Sequence, residues 1–306
     1  MIRTKTPLAL AIGAALLSVA ACGGGGDPLA TGGDNSDSDS GTIVVGSADF
    51  TESALLAEIY AGALEAEGVK VEKTLNIGSR EAYIPALQDG SIDLIPEYTG
   101  VLAHYFDEGS TATESDEVYA DLTAALPDTL AVLDKSEAED KDCIAVTRET
   151  AEEYSLTSIA DLAAVAGDLT LGAGPEWKTR SNGVPGLKKV YGAEFGSFRA
   201  LDAGGPLTVQ ALKNGQVDVA NLFTTDPNIA TNDFVVLEDP ENLFAAENVV
   251  PLITKSKLDD TITVALNEVS ANLDTETLAA LLERVVIDKE DAGDVAADFL
   301  SEHGLA

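Results

Sequence analysis

Aromatic residues at matching places in two similar stretches are the first candidates for chemistry. Leu87-Gln-Asp-Gly-Ser-Ile-Asp-Leu-Ile-Pro-Glu-Tyr-Thr99 aligns without a gap on Leu212-Lys-Asn-Gly-Gln-Val-Asp-Val-Ala-Asn-Leu-Phe-Thr224. Each reads as the end of a helix, an Asp/Asn-Gly turn and then a strand. Ligands of open α/β sheets sit beyond the carboxyl ends of the strands. Tyr98 and Phe223 lie just past two such ends, at equivalent positions, and would look at each other across a cleft. Phe50 and Trp177 follow equivalent first strands, with a one-residue gap in the alignment. Trp177, the single Trp, sits in a loop rich in Gly and Pro, where a ligand contact is more at home than a core residue. The plainer readings stand beside these. An aromatic after a strand most often fills a core. Arg180 can pair with an acid such as Glu176, and Arg80, Lys178 and Glu52 read as surface ion partners.

Other chemistries find little to work with. No Gly-x-Ser-x-Gly elbow, His-Glu-x-x-His helix or phosphate-binding loop occurs. The two histidines, His104 and His303, lack metal-ligand spacing, so neither a metal nor a cofactor is expected. Cys143 reads as a small buried hydrophobe. With 53 acidic against 18 basic residues and a net charge of −35, nucleic acid and anionic lipid are excluded as partners. Binding without catalysis is the expectation. A hydrolase with paired carboxylates and a sensory lipoprotein without a transporter are the alternatives.

The elements that must position these residues alternate. Thr42–Val45, Val69–Val71 and Ile92–Ile95 read as strands, and Ala54–Ala66 and Ser79–Gln88 as helices. The pattern returns as strands at Leu169–Leu171 and Val217–Val219, with helices at Gly183–Tyr191 and Leu207–Lys213. Such alternation implies parallel sheet and βαβ units, and its repetition implies two lobes around one cleft.

The beginning of the chain reads as an export signal. Arg3 and Lys5 precede an apolar run from Pro7 to Ala21, shorter than the roughly 20 apolar residues a membrane span needs. The run ends in Val19-Ala20-Ala21-Cys22, which resembles a bacterial lipobox in which Cys22 is lipidated. Residues 1–21 would be a lipoprotein signal peptide. Residues 22–41, rich in Gly, Ser and Asp, would be a flexible tether. The protein would then sit outside the cytoplasm, anchored to the membrane by lipid.

A family resemblance adds to this. Gly46-Ser-Ala-Asp-Phe-Thr-Glu52, Gly78-Ser-Arg-Glu81, Glu97-Tyr-Thr-Gly100, Pro175-Glu-Trp-Lys-Thr-Arg180, Leu187-Lys-Lys-Val-Tyr-Gly192 and Phe223-Thr-Thr-Asp226 occur in order. The set resembles the substrate-binding proteins of glycine betaine/choline/carnitine ABC importers. The resemblance implies an α/β, two-lobed periplasmic-binding-protein fold of type II, with two hinge crossovers and the ligand cleft between the lobes. Residues 42–144 with 248–306 would form the first lobe, and 145–247 the second. It implies a quaternary-ammonium or betaine-type ligand, and permease and ATPase subunits on other chains. It implies an aromatic box of Tyr98, Trp177 and Phe223, with Phe50 and Thr99 beside it and Arg180 on the ligand carboxylate. Cys143 and Glu247 stand where relatives carry box tyrosines, and Ala48 where some carry a carboxylate-binding Lys.

Overall fold

A computed structural model describes residues 41–306. The signal segment, Cys22 and the tether up to residue 40 lie outside the described residues. Strands β1 (Thr42–Gly46), β2 (Lys70–Thr74), β3 (Leu94–Tyr98), β4 (Leu130–Val132) and β10 (Val249–Thr254) form one sheet, ordered β2-β1-β3-β10-β4. Strands β5 (Asp142–Thr147), β6 (Thr170–Ala173), β7 (Ser197–Ala200), β8 (Val219–Phe223) and β9 (Phe234–Val236) form another, ordered β7-β6-β8-β5-β9. Helices α1 (Thr51–Ala66), α2 (Arg80–Asp89), α3 (Thr99–Phe106) and α4 (Ser115–Ala125) belong to the first stretch. Helices α5 (Arg148–Tyr154), α6 (Val184–Gly186), α7 (Pro206–Lys213) and α8 (Asn228–Thr231) belong to the second. Helices α9 (Asp260–Ala271), α10 (Thr275–Val286) and α11 (Ala292–His303) follow β10.

The sheets are mixed: the parallel βα strands that the alternation implies are joined by antiparallel strands in each. β1 runs parallel to β2 and β3, and β6 parallel to β7 and β8. β10 and β5 run antiparallel to their neighbours. A parallel neighbour needs a crossover that brings the chain back to the same end of the sheet. β5 and β10 arrive directly from the other sheet, and they enter at the end where the preceding strands stop. Asp142, the first residue of β5, therefore pairs with Phe223, the last of β8. Val249 of β10 pairs likewise with Tyr98, the last of β3. The carboxyl ends of the βα strands and both crossing segments thus share one side of the molecule.

The two crossings lie against each other. Glu139 and Asn248 form an antiparallel bridge. The Asp140 N–H donates to the Glu247 carbonyl at 3.1 Å, and the Val249 N–H to the Ala138 carbonyl at 3.0 Å.

The internal repeat has a specific physical basis. Asp93 stands just before β3, where its N–H donates to the Val44 carbonyl at 2.8 Å. Its carboxylate accepts the Val44 N–H at 2.9 Å. Asp218 does the same before β8, with Thr170 as partner at 3.0 and 2.7 Å. One side chain closes the ladder that the backbone has not yet entered. Both strands therefore start later than their apolar pattern predicts, and they end on Tyr98 and Phe223 rather than short of them. Gly90 at φ +80° and Gly215 at φ +63° make the preceding turns in the left-handed region.

Each sheet is covered on both faces. Leu55, Leu56, Ile59, Tyr60 and Leu64 of α1 are fully buried against the first sheet and against Phe299 of α11. Ile84, Leu87 and Leu102 cover its other face. In the second sheet Ile144, Leu171, Val219 and Leu187 fill one side, and Cys143, Val209, Leu212 and Leu222 the other.

Candidate ligand-binding site

A cavity of about 380 Å³ opens where the strand ends of both sheets meet. Its aromatic wall is a row of rings. Phe50, the residue that caps the start of α1, stacks on Phe223 with ring centroids 5.2 Å apart and planes 28° apart. Tyr98 also packs on Phe50, with ring centroids 6.0 Å apart. Phe50 thus touches both Tyr98 and Phe223. The Tyr98 hydroxyl donates to Glu52 at 2.7 Å, and the Thr225 hydroxyl donates to the same carboxyl at 2.6 Å. Glu52 thus ties the end of β3 to the loop after β8. Trp177 lies in the turn Pro175–Lys178, lines the same cavity and packs on Phe244 at 6.0 Å. Gly183 must be glycine for this turn to close, since a Cβ there would stand 2.1 Å from the Trp177 carbonyl oxygen.

Carboxyl groups dominate the polar wall. Asp49, Asp140, Asp142, Glu176, Asp202 and Glu247 line it, against Arg80 and Arg180. Both guanidiniums are already held in two-pronged pairs. Arg80 donates to both oxygens of Glu97 at 2.7 Å. Glu97 also accepts the Tyr83 hydroxyl at 2.7 Å and the Tyr98 N–H at 3.0 Å. Arg180 donates to both oxygens of Glu81 at 3.1 Å, across the cleft from α2. Burial pushes Glu81 up, but hydrogen bonds from Arg180 and Ser79 outweigh it and bring its pKa down to about 2. Asp142 accepts from the amides of Asn182 at 2.9 Å and Asn221 at 2.8 Å, and burial raises its pKa. Burial likewise pushes up Glu52 and Asp140, and for Asp140 the neighbouring Glu52 charge adds to the rise.

Glu247 lines the cavity, but its carboxylate is engaged. One oxygen accepts the N–H groups of Gly100 at 2.9 Å and Val101 at 3.0 Å, in the first turn of α3. Burial nevertheless holds its pKa well above the usual carboxylate range.

Of the residues singled out from sequence, Phe50, Tyr98, Trp177, Arg180, Phe223 and Glu247 come together on this cavity, with Ala48 beside them. Cys143 and Thr99 are not among its lining residues. Successive strand residues point to opposite faces; Asp142 therefore lines the cavity, while Cys143 turns into the core with Val209 and Leu222. Thr99 is fully buried and joins α3 to the returning crossing. Its hydroxyl donates to the Ala246 carbonyl at 3.2 Å and accepts the Asn248 N–H at 3.0 Å. Arg80 and Glu52, expected on the surface, are 6% and 4% exposed. Arg180 pairs with Glu81 rather than Glu176. Sequence reasoning missed Glu81, Tyr83, Glu97, Asp142, Asn182 and Asn221. Glu81 and Glu97 stood inside stretches already marked, Gly78–Glu81 and Glu97–Gly100, and Asn221 inside the repeat Leu212–Thr224.

Two mixed sheets joined by paired crossings, with aromatic and polar side chains gathered at the strand ends between them, define a two-lobed solute-binding protein. Residues 41–302 match OpuAC, the substrate binding domain of ABC-type glycine betaine transport systems, and the chain belongs to this family. It is a substrate-binding protein of an ABC importer, not an enzyme. It is 30% identical over 276 residues to the glycine betaine-binding protein YehZ of Escherichia coli, covering 86% of this chain and 90% of that protein. A glycine-betaine-binding protein of Pseudomonas aeruginosa is 30% identical over 280 residues, covering 86% and 88%. Among solved structures, a glycine betaine/carnitine/choline ABC transporter protein superposes with a TM-score of 0.67 at 24% identity, covering 86% of this chain and 99% of that one.

Proposed function

We propose that the chain captures a small quaternary-ammonium solute in the aromatic-walled cavity and delivers it to permease and ATPase subunits on other chains. The observation that carries this reading is the ring row Tyr98–Phe50–Phe223, with Trp177 on the same cavity and carboxyl groups around it. A quaternary nitrogen has no N–H to donate, so hydrogen bonds cannot hold it. Aromatic faces attract it at about 0.5–2 kcal/mol each. The relatives named for glycine betaine, carnitine and choline support the same ligand class.

The test is calorimetric titration with choline and glycine betaine. Changing Tyr98 to Leu keeps an apolar side chain but removes the ring. Loss of about 1–2 kcal/mol weakens binding roughly 5- to 30-fold. Tyr98→Phe removes only the bond to Glu52 and should keep most of the affinity. Wild-type affinity in Tyr98→Leu would sink the ring assignment.

In this reading, the two sheets with their helices are lobes that close on the ligand by bending at the crossings; because β5 starts at Asp142 in the second sheet, the first boundary falls before Asp142 rather than after residue 144. Cys22 carries a lipid that holds the protein at the outer face of the membrane; among the described residues no helix is long and apolar enough to cross one. Cys22→Ala should leave the precursor uncleaved or move the protein out of the membrane fraction. Normal cleavage with unchanged attachment would refute the anchor.

A further inference from the structure

Both guanidiniums on the cavity wall, and the start of α3, already hold a carboxylate of the chain itself. A carboxylate is bound by guanidinium forks, by ammonium groups or by free N–H groups at a helix start. Among the lining residues there is no Lys, and the guanidiniums are those of Arg80 and Arg180. Arg80 gives its Nε and Nη2 to Glu97, itself fully buried. Arg180 gives its Nε and Nη2 to Glu81, which reaches it from the opposite side of the cleft. At the start of α3, the N–H groups of Gly100 and Val101 are taken by Glu247. Ala48 offers no charge where a Lys would. A ligand carboxylate would find only the outer edge of a guanidinium whose charge Glu97 or Glu81 already balances, and it would sit among the remaining carboxyl groups.

Resting on the quaternary-ammonium reading above, we infer that this cavity takes a net cation without a carboxylate, of the choline class, in preference to a zwitterionic betaine. Glu81 supplies from within the protein the anion that a betaine would otherwise bring to Arg180. The contact between the lobes at this point therefore belongs to the chain and does not depend on the ligand.

Choline and glycine betaine share the trimethylammonium head and differ at the other end, in a hydroxyl against a carboxylate. Titration of the full-length protein with choline, glycine betaine and tetramethylammonium separates the outcomes. Choline should bind about 10-fold more tightly than glycine betaine, a difference the size of one charge-assisted hydrogen bond left unmade. Glu81→Gln weakens the hold on Arg180 and should shift the choline-to-betaine ratio about 5-fold toward betaine. Reading the ratio cancels any general loss of lobe closure. Arg180→Ala should lower both affinities by similar factors. Equal or tighter binding of betaine by the unaltered protein would overturn the inference. A loss in Arg180→Ala confined to betaine would also overturn it. In both cases the aromatic reading stays intact as long as tetramethylammonium binds. Failure of tetramethylammonium, choline and betaine alike would remove both.

Discussion

Replacing Glu97 by Ala is expected to lower the free energy of unfolding by about 3–5 kcal/mol, the range for removing one partner of a buried ion pair. Glu97 is fully buried and Arg80 is 6% exposed. Without Glu97, Arg80 keeps its charge in a site with little water. The Tyr83 hydroxyl and the Tyr98 N–H lose their acceptor at the same time. Chemical denaturation of the ligand-free protein reads the loss as a lower midpoint at unchanged slope. Replacing both partners, Arg80→Met with Glu97→Leu, should recover much of it, because no charge is then stranded. A loss below about 1 kcal/mol in Glu97→Ala would show that water reaches Arg80, and the pair would then be a surface pair in energetic terms.

That pair also marks where the sequence stops being legible. Helices and strands were readable because their apolar periodicity is local, and the repeat was readable because Asp93 and Asp218 do the same job in both halves. Strand limits were displaced at β3 and β8, since a side chain closing the ladder leaves no mark in hydrophobicity. The rings Phe50, Tyr98, Trp177 and Phe223 were found because strand order alone brings them to one end. Of the carboxylates on the wall, only Glu247 was singled out, and that by resemblance. In a chain with 53 acidic residues, nothing local distinguishes Glu97, which takes up a buried guanidinium, from the acids that cover the surface. Arg180 and Glu81 stand on different sheets' stretches, so their pairing depends on how the two halves meet. Resemblance sets Cys143 beside the ligand, whereas strand alternation puts Asp142 on the cavity wall and Cys143 in the core.

The second large effect is expected at Trp177. Its indole is 2% exposed and belongs both to the cavity wall and to the core of the second sheet. Trp177→Ala should cost about 3–5 kcal/mol of stability, as other buried Trp and Phe truncations do. Trp177→Phe keeps a ring against Phe244 and should cost less than half of that. Choline titration of the two variants separates the roles. If the indole touches the cation, Trp177→Phe weakens binding several-fold even where thermal melting shows most of the stability retained. Unchanged binding in Trp177→Phe would confine Trp177 to the core.

The paired crossings at residues 138–140 and 247–249 have a mechanical consequence. Two segments clamped side by side by backbone hydrogen bonds act as a flat spring. Such a ribbon flexes readily out of its own plane, while sliding or twisting one segment past the other breaks the bonds between them. If the lobes close as proposed, the cleft would have one soft direction of opening, and its lobes would return to the same register on every cycle. Asp140 and Glu247 sit on the two leaves of this spring, joined by the bond from the Asp140 N–H to the Glu247 carbonyl. A solute touching either side of the cavity therefore loads the same axis, and the surface shown to the permease would change as a unit.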